Sequence, residues 1–288
     1  MIRQRGVALI VVLAIVAMLS LVVVQLSVDT SASVKKSRLL VERVEADFAL
    51  HSREVSMTFA LLSTRNFGIR PSVLATDELE RTWNFRGEPF KFDGATWSLS
   101  DEAGLLKLPY NQESIEPFRK LLLAMSVYPA RVEQIVTAVR GSLIQERKLF
   151  PFQSVDELAA IAPLSSEELN RLRDLTTTYP SYGVNLSTAP DEVLAVFFQG
   201  AGLGSIKALA KRGDLNEDTY TRITGEDSDE FAVFTRSPVV RMTLSYQKGD
   251  VLLARETSLI IRPYQAVPVE YWQRRSVGVV ANPTGRGE

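Results

Sequence analysis

From Val7 to Val28 the chain carries no charge, and only Ser20, Gln25 and Ser27 break its apolar character. At about 1.5 Å of rise per residue, a helix of this length covers about 30 Å, the thickness of a bilayer's hydrocarbon core. A secretory signal has a shorter apolar region, about 7–15 residues, followed by a small-residue cleavage motif. This run continues past that length without a clear A-x-A exit. A buried core helix seldom sits at a terminus between basic flanks. The run is therefore expected to be a permanent anchor. Arg3 and Arg5 precede it, which favours an N-terminus in the cytoplasm and the bulk across the membrane. Lys35, Lys36 and Arg38 on the far side weaken that bias, although they lie behind Asp29.

The pattern does not break where the run ends. Val34, Val41, Val44, Phe48, Val55, Phe59 and Leu62 recur at helical spacing with charged residues between them, which predicts an amphipathic helix laying that stripe on a globular domain. No proline or glycine falls between Val7 and Phe67. One continuous helix, half anchor and half packed stem, is expected, with Gly68 and Pro71 ending it. His51, the only histidine, lies one heptad beyond Val44 and so near the predicted packed face.

Further on, strand and helix periods alternate. TWSLSDEAGLLKLPYN predicts a hairpin turning at Asp101 to Gly104. VVRMTLSYQ and VLLARETSLIIR, on either side of KGD, predict a second hairpin. Val240, Met242, Leu244 and Tyr246 would be buried there, and Arg241, Thr243, Ser245 and Gln247 wet. In its second arm, Arg255 and Thr257 interrupt the face shared by Val251, Leu253, Leu259 and Ile261. The segments between are helical: EPFRKLLLAM, PARVEQIVTAVRGSLI, VDELAAIA behind Ser154, a helix through Leu175 opened by a Ser165–Glu168 capping box, and APDEVLAVFFQ, capped by Thr188 with Asp191 and ended by Gly200. The expected fold class is α+β. Residues 68–112 and 212–265 would form an α/β domain on the long helix, with an all-α domain inserted at 113–211, and the Pro- and Gly-rich 266–288 would be a flexible tail.

Charge and composition exclude more than they select. Thirty-three basic residues face 34 acidic ones, for a net charge of −1, so no global field attracts nucleic acid or anionic lipid. The chain has no cysteine, which removes disulfides, thiol catalysis and Cys-type metal sites. With a single histidine as well, the common nucleophile and base arrangements cannot be assembled. An enzyme is not expected.

The order of these features resembles a known family. RGVALIVVLAIVAM, WSLSDEAGLLKLPYN, SVDELAAIAPLSSEELNRL and GVNLSTAPDEVLAVF together resemble the K-type minor pseudopilins of the type II secretion system, the GspK family, from Arg5 to about Arg262. The resemblance implies the pseudopilin fold, a long N-terminal helix on a small antiparallel sheet, with a large all-α insertion between strands. It implies that residues 1–6 are a prepilin leader, cut by prepilin peptidase after Gly6 to leave Val7 as a methylated first residue. Residues 7–28 would then span the bacterial inner membrane and 29–67 continue the helix in the periplasm. The implied function is to cap a pseudopilus tip with I- and J-type partners during protein export. Most family subunits have a glutamate at the fifth mature position, where this chain has Val11. A carboxylate in lipid costs several kcal/mol unless a partner charge meets it. The family's partner charge is the amine of the previously assembled subunit, which a first subunit lacks. Val11 also reads simply as one more lipid-facing residue.

Two further readings stay open. VNLSTAPDEVLAVFFQGAGLGSIKALAKRG resembles a helix-hairpin-helix motif, with Gly200, Gly202 and Gly204 at a phosphate-cradling turn near Lys207, Lys211 and Arg212. That would make the chain a membrane-anchored DNA-binding protein of an uptake system. Against it stand Asp191, Glu192, Asp214, Glu217 and Asp218 close by, so nucleic acid is not an expected partner. A minor pilin of a type IV pilus differs mainly in its neighbouring system. The acidic stretch Glu226, Asp227, Asp229 and Glu230 offers hard oxygen ligands, and calcium, which K-type relatives bind, is the one cofactor these residues suggest. Their spacing is not that of an EF-hand, and a solvated acidic loop is the commoner form of such a stretch.

Overall fold

The computed structural model describes residues 4–63, 84–146, 152–181, 183–225, 227–228 and 232–281. The predicted long helix is α1, Gln4–Ser63; its expected stop at Gly68 and Pro71 lies outside the described residues. The sheet has five strands, β1 (Phe90–Phe92), β2 (Ala95–Asp101), β7 (Val239–Lys248), β8 (Val251–Ile261) and β9 (Val269–Ala281), in the order β1-β2-β7-β8-β9. Every neighbouring pair is antiparallel. Ala46, Leu50, Met57 and Leu61 of α1 close one face of it, against Trp97, Leu99, Val240, Met242, Leu244 and Leu259. Trp97 is buried on that face, and its indole N–H donates to the Phe92 carbonyl at 3.0 Å.

The face of α1 that meets the sheet is not the predicted one. Val34, Val41, Val44, Phe48, Val55 and Phe59 are exposed, as is His51. The buried line is Ala46, Leu50, Glu54, Met57 and Leu61. Both lines have helical spacing, so apolar periodicity alone cannot choose between them. The sheet chooses through polar complementarity, because Arg255 and Thr257 require a carboxylate opposite and only the second line carries one, Glu54.

The predicted tail at 266–288 is also corrected, because β9 adds to the sheet along β8 from Ile261↔Val269 to Val251↔Ala281. VEYWQRRSVGVVA is rich in β-branched and aromatic residues, and the prolines lie outside it at 263, 268 and 283. Irregular registers between Leu253/Arg255 and Ser258/Leu259 let the strand fit. Residues 282–288 lie outside the described residues.

The helical unit fills the chain between β2 and β7, which are neighbours in the sheet. It runs through α2 (Ile115–Ala124), α3 (Pro129–Glu146), α4 (Leu158–Ile161), α5 (Ser166–Leu175), α6 (Asp191–Phe197), α7 (Ala201–Arg212) and α8 (Glu217–Thr224). Its core is separate from the sheet's and includes Phe118, Leu121, Ile135, Leu172, Leu194 and Ile206. The Ser165–Glu168 capping box opens α5 as predicted; hydrogen bonding from Arg131 holds the Glu168 carboxyl down at about 2. The helices continue beyond residue 211, because Asn216 and Thr219 form a second capping box at α8. Thr188 does not cap α6. Its hydroxyl is buried and donates to Asp101 at 3.1 Å.

Asp101 to Gly104 is not a hairpin turn either. Beyond β2 the chain enters a buried 3-10 turn, Glu102–Gly104. The next strand, β3 (Leu106–Lys107), then pairs in parallel with β4 (Thr176–Thr177) rather than returning along β2, as β5 (Val184–Asn185) pairs with β6 (Ala232–Val233). Asp101 accepts from Asn185 Nδ2 at 2.7 Å and from Ser237 Oγ, 136 positions away, at 2.6 Å, so it holds both ends of the insertion. Glu102 receives Arg241 Nε and a terminal nitrogen at 2.9 Å each, Ser258 Oγ at 2.6 Å and Thr177 Oγ1 at 2.5 Å. Arg241 is thus buried beneath the helical unit rather than wet. A Cβ on Gly104 would lie 2.7 Å from Thr188 Oγ1, so only glycine permits this approach.

The adjacent carboxyls are displaced in opposite directions. Burial pushes Asp101 above its ordinary value despite its hydrogen bonds. Burial would raise Glu102 too, but the charge and hydrogen bonds of Arg241 outweigh it and hold Glu102 below the ordinary glutamate value. Glu102→Ala would leave the Arg241 guanidinium buried without its partner and is expected to cost about 3–5 kcal/mol at pH 7, read by denaturant unfolding. A carboxyl with a depressed folded pKa stabilises fully above its unfolded value, 4.5 here, and loses that contribution as pH falls through the folded value. The difference between wild type and variant is expected to narrow below pH 4.5; a constant difference into acid would contradict the ion-pair account.

Candidate assembly surface

The stem of α1 projects from the sheet, and Leu9–Val28 is exposed along its whole length. It is long and apolar enough to cross a membrane, with a window of mean hydropathy 3.0 that is 0% buried. The bond between Gly6 and Val7 lies within the first turns of the helix. Val11 is 50% exposed, one apolar side chain among many on the stem. Leu62 is half-buried, but the rest of the predicted stripe continues the stem's apolar surface along the outer side of the head. Phe48 is 72% exposed and Phe59 69%. Monomeric proteins rarely display so long an apolar line without a partner to cover it.

The opposite side of α1 is fixed by charge as well as packing. Glu54, with 2% of its side chain exposed, accepts from Arg255 at 2.9 Å, Thr257 Oγ1 at 2.9 Å and Arg274 at 2.7 Å. Arg255 also reaches Asp47, one helical row outward, at 2.6 Å. Arg53 donates to the Asp93 carbonyl at 2.8 Å and lies 4.4 Å from the Tyr246 ring centre. These contacts set both the rotation and the axial position of the stem on the sheet. Sequence reasoning missed Glu54, although a signal existed: a carboxylate in an apolar helical line and an Arg-x-Thr interruption in an apolar strand.

The other predicted sites are dispersed. Glu226, Asp229 and Glu230 lie outside the described residues and only Asp227 is within them. Among the described residues, no group of three or more His, Cys, Asp or Glu could hold a metal ion. Gly200, at φ 69°, precedes α7, whereas Gly202 and Gly204 lie inside that helix rather than at a hairpin. Lys207 approaches Asp191 at 3.9 Å and Arg212 approaches Asp214 at 3.7 Å, so two of the three cations named near that turn face carboxylates. Asp101 and Glu102 have shifted pKa values but are 1% and 2% exposed, closed to any substrate.

No family model matches the sequence, and no curated protein does. Among solved structures, a chain of the GspK–GspI–GspJ complex from the enterotoxigenic Escherichia coli type 2 secretion system is similar, at 12% identity and a TM-score of 0.50. The likeness covers 84% of this chain and 99% of that one. The chain has the pseudopilin fold.

Glu54→Ala removes the carboxylate shared by two arginines and a threonine. It is expected to cost about 3 kcal/mol and to speed hydrogen exchange across residues 46–61 more than in the helical unit. An unchanged unfolding midpoint would show that packing alone orients the stem.

Proposed function

We propose that this chain is a K-type minor pseudopilin of a type II secretion system, a non-catalytic tip subunit that assembles with I- and J-type partners and supports export across the outer membrane. The observation that carries this reading is a pseudopilin fold with its helical unit inserted between two neighbouring strands, similar over nearly the whole length of a chain from the GspK–GspI–GspJ complex. In this reading prepilin peptidase cuts after Gly6, Val7 becomes a methylated N-terminus, and the stem holds the subunit in the inner membrane with its head in the periplasm.

Assembly then uses surfaces already in place. The apolar stem leaves lipid and packs laterally on other stems, and the outer line through Val44, Phe48, Val55 and Phe59 extends that packing along the head. Val11 places no carboxylate in the bundle, which suits a subunit with no predecessor to supply a compensating amine. Docking needs no chemistry, only burial, and each large side chain covered contributes about 1.5–3 kcal/mol.

The test is capture of I- and J-type partners by the head beginning near Ser31, with DNA binding measured in parallel at stated salt. Phe48→Asp together with Phe59→Asp is expected to weaken partner capture at least tenfold while the melting temperature of the head stays within about 2 °C, since exposed positions seldom carry stability. DNA binding without partner capture would overturn the proposal.

A further inference from the structure

The line of α1 that packs on the sheet continues beyond the sheet's edge. There the stem and the β7–β8 turn border an open notch of about 730 Å³. Along it, from the stem outward, come Val23 and Leu26, then Thr30, then the cations Lys35 and Arg38 set between the apolar Val34 and Leu39, with Asp250 across from them. The Thr30 hydroxyl donates to the Leu26 carbonyl at 2.7 Å, so this part of the wall presents no unmet donor. Gly249 holds the turn against the stem: at φ 54°, a Cβ there would lie 2.8 Å from the Glu42 carboxyl. Arg38 is held by Glu42 at 2.8 Å. Lys35 and Lys36 make no ion pair among the described residues; the Asp250 carboxylate makes no close pair either, although its charge acts on Arg38 across the notch.

The order apolar, cationic, anionic is that of one kind of molecule. We propose that the notch binds a single glycerophospholipid with an ethanolamine headgroup, its acyl chains along Val23 and Leu26, its phosphate on Lys35 and its terminal ammonium on Asp250. Depth agrees with this assignment. Lys35 lies seven residues beyond Val28, about 10 Å of helix, and the headgroup layer on each side of the bilayer is roughly 5–8 Å thick. Helical side chains tilt toward the N-terminus, which here is the membrane side, so the lysine stem leans back into that layer with its ammonium at phosphate level. A choline headgroup offers no N–H to Asp250, and a glycerol headgroup offers no cation.

The inference rests on α1 spanning a bilayer, and the two can fail separately. Full-length protein in proteoliposomes is first washed with alkaline carbonate; release from the vesicles would sink the anchor reading itself. Retained protein is then taken into detergent with equal amounts of phosphatidylethanolamine, phosphatidylcholine and phosphatidylglycerol of one acyl composition, and bound lipid is counted by native mass spectrometry. Phosphatidylethanolamine is expected to be retained at least threefold over either competitor, with millimolar inorganic phosphate not displacing it. Lys35→Gln should lower retention of all three lipids, whereas Asp250→Ala, which removes both the charge and the acceptor, should abolish the preference for ethanolamine over choline and over glycerol alike. Equal retention of the three by the wild type, a preference for phosphatidylglycerol, or an Asp250→Ala variant that keeps the ethanolamine preference would each overturn the assignment.

Discussion

Two neighbouring carboxylates, Asp101 and Glu102, decide where a long helical insertion leaves the sheet and where it rejoins it. The entropy of closing an insertion grows only with the logarithm of its length, so the size of the helical unit matters less than how firmly its ends are held. Asp101 ties the end of β2 to Ser237 just before β7, and Glu102 ties the same turn to Arg241 on β7 and Ser258 on β8. Burying two acids side by side is costly unless their lone pairs are satisfied. Here the cost is divided: Glu102 remains charged against Arg241, while Asp101 relies on hydroxyl, amide and backbone donors. Both are closed to solvent, and every partner named for them belongs to the fold itself.

The same logic, a buried carboxylate selecting its neighbours, acts on the stem. The head half of α1 has two apolar lines of nearly equal quality, and a flat hydrophobic face could rotate onto either. Glu54, meeting Arg255, Thr257 and Arg274, removes that freedom. Its consequence lies on the other side of the helix, because fixing one line against the sheet leaves Phe48 and Phe59 pointing outward. Specificity of packing inside the head thus produces the surface outside it.

How much of this was legible in the sequence follows from what each signal depends on. The unbroken α1, the KGD hairpin and the Ser165 capping box were legible because each is encoded within a few residues: absence of Pro and Gly, strict alternation, and a capping pair three residues apart. The face of α1 was not, since it is decided by residues about 200 positions away, Glu54 and Arg255. The Asp101–Gly104 stretch has turn composition and forms a turn, but its continuation pairs with β4 through contacts that only the insertion brings close. The C-terminal strand was hidden by the prolines and glycines around it, although the segment from 269 has strand composition. Glu226 to Glu230 stays a sequence reading alone.

On the proposed function, a stem that works first in lipid and then in a fibre cannot present one conventional amphipathic pattern. Over residues 7–28 that reading asks for apolar side chains all round, because the same surface would face acyl chains first and other helices afterwards. Beyond Val28 three demands fall on different faces of one rigid rod: complementarity to the sheet through Glu54, a free apolar line for neighbours, and cations at the membrane's edge. On the proposed orientation Lys35 and Lys36 oppose the usual charge bias of a far-side flank, and the proposed lipid would turn that opposition into an anchor that sets the height of the head above the bilayer.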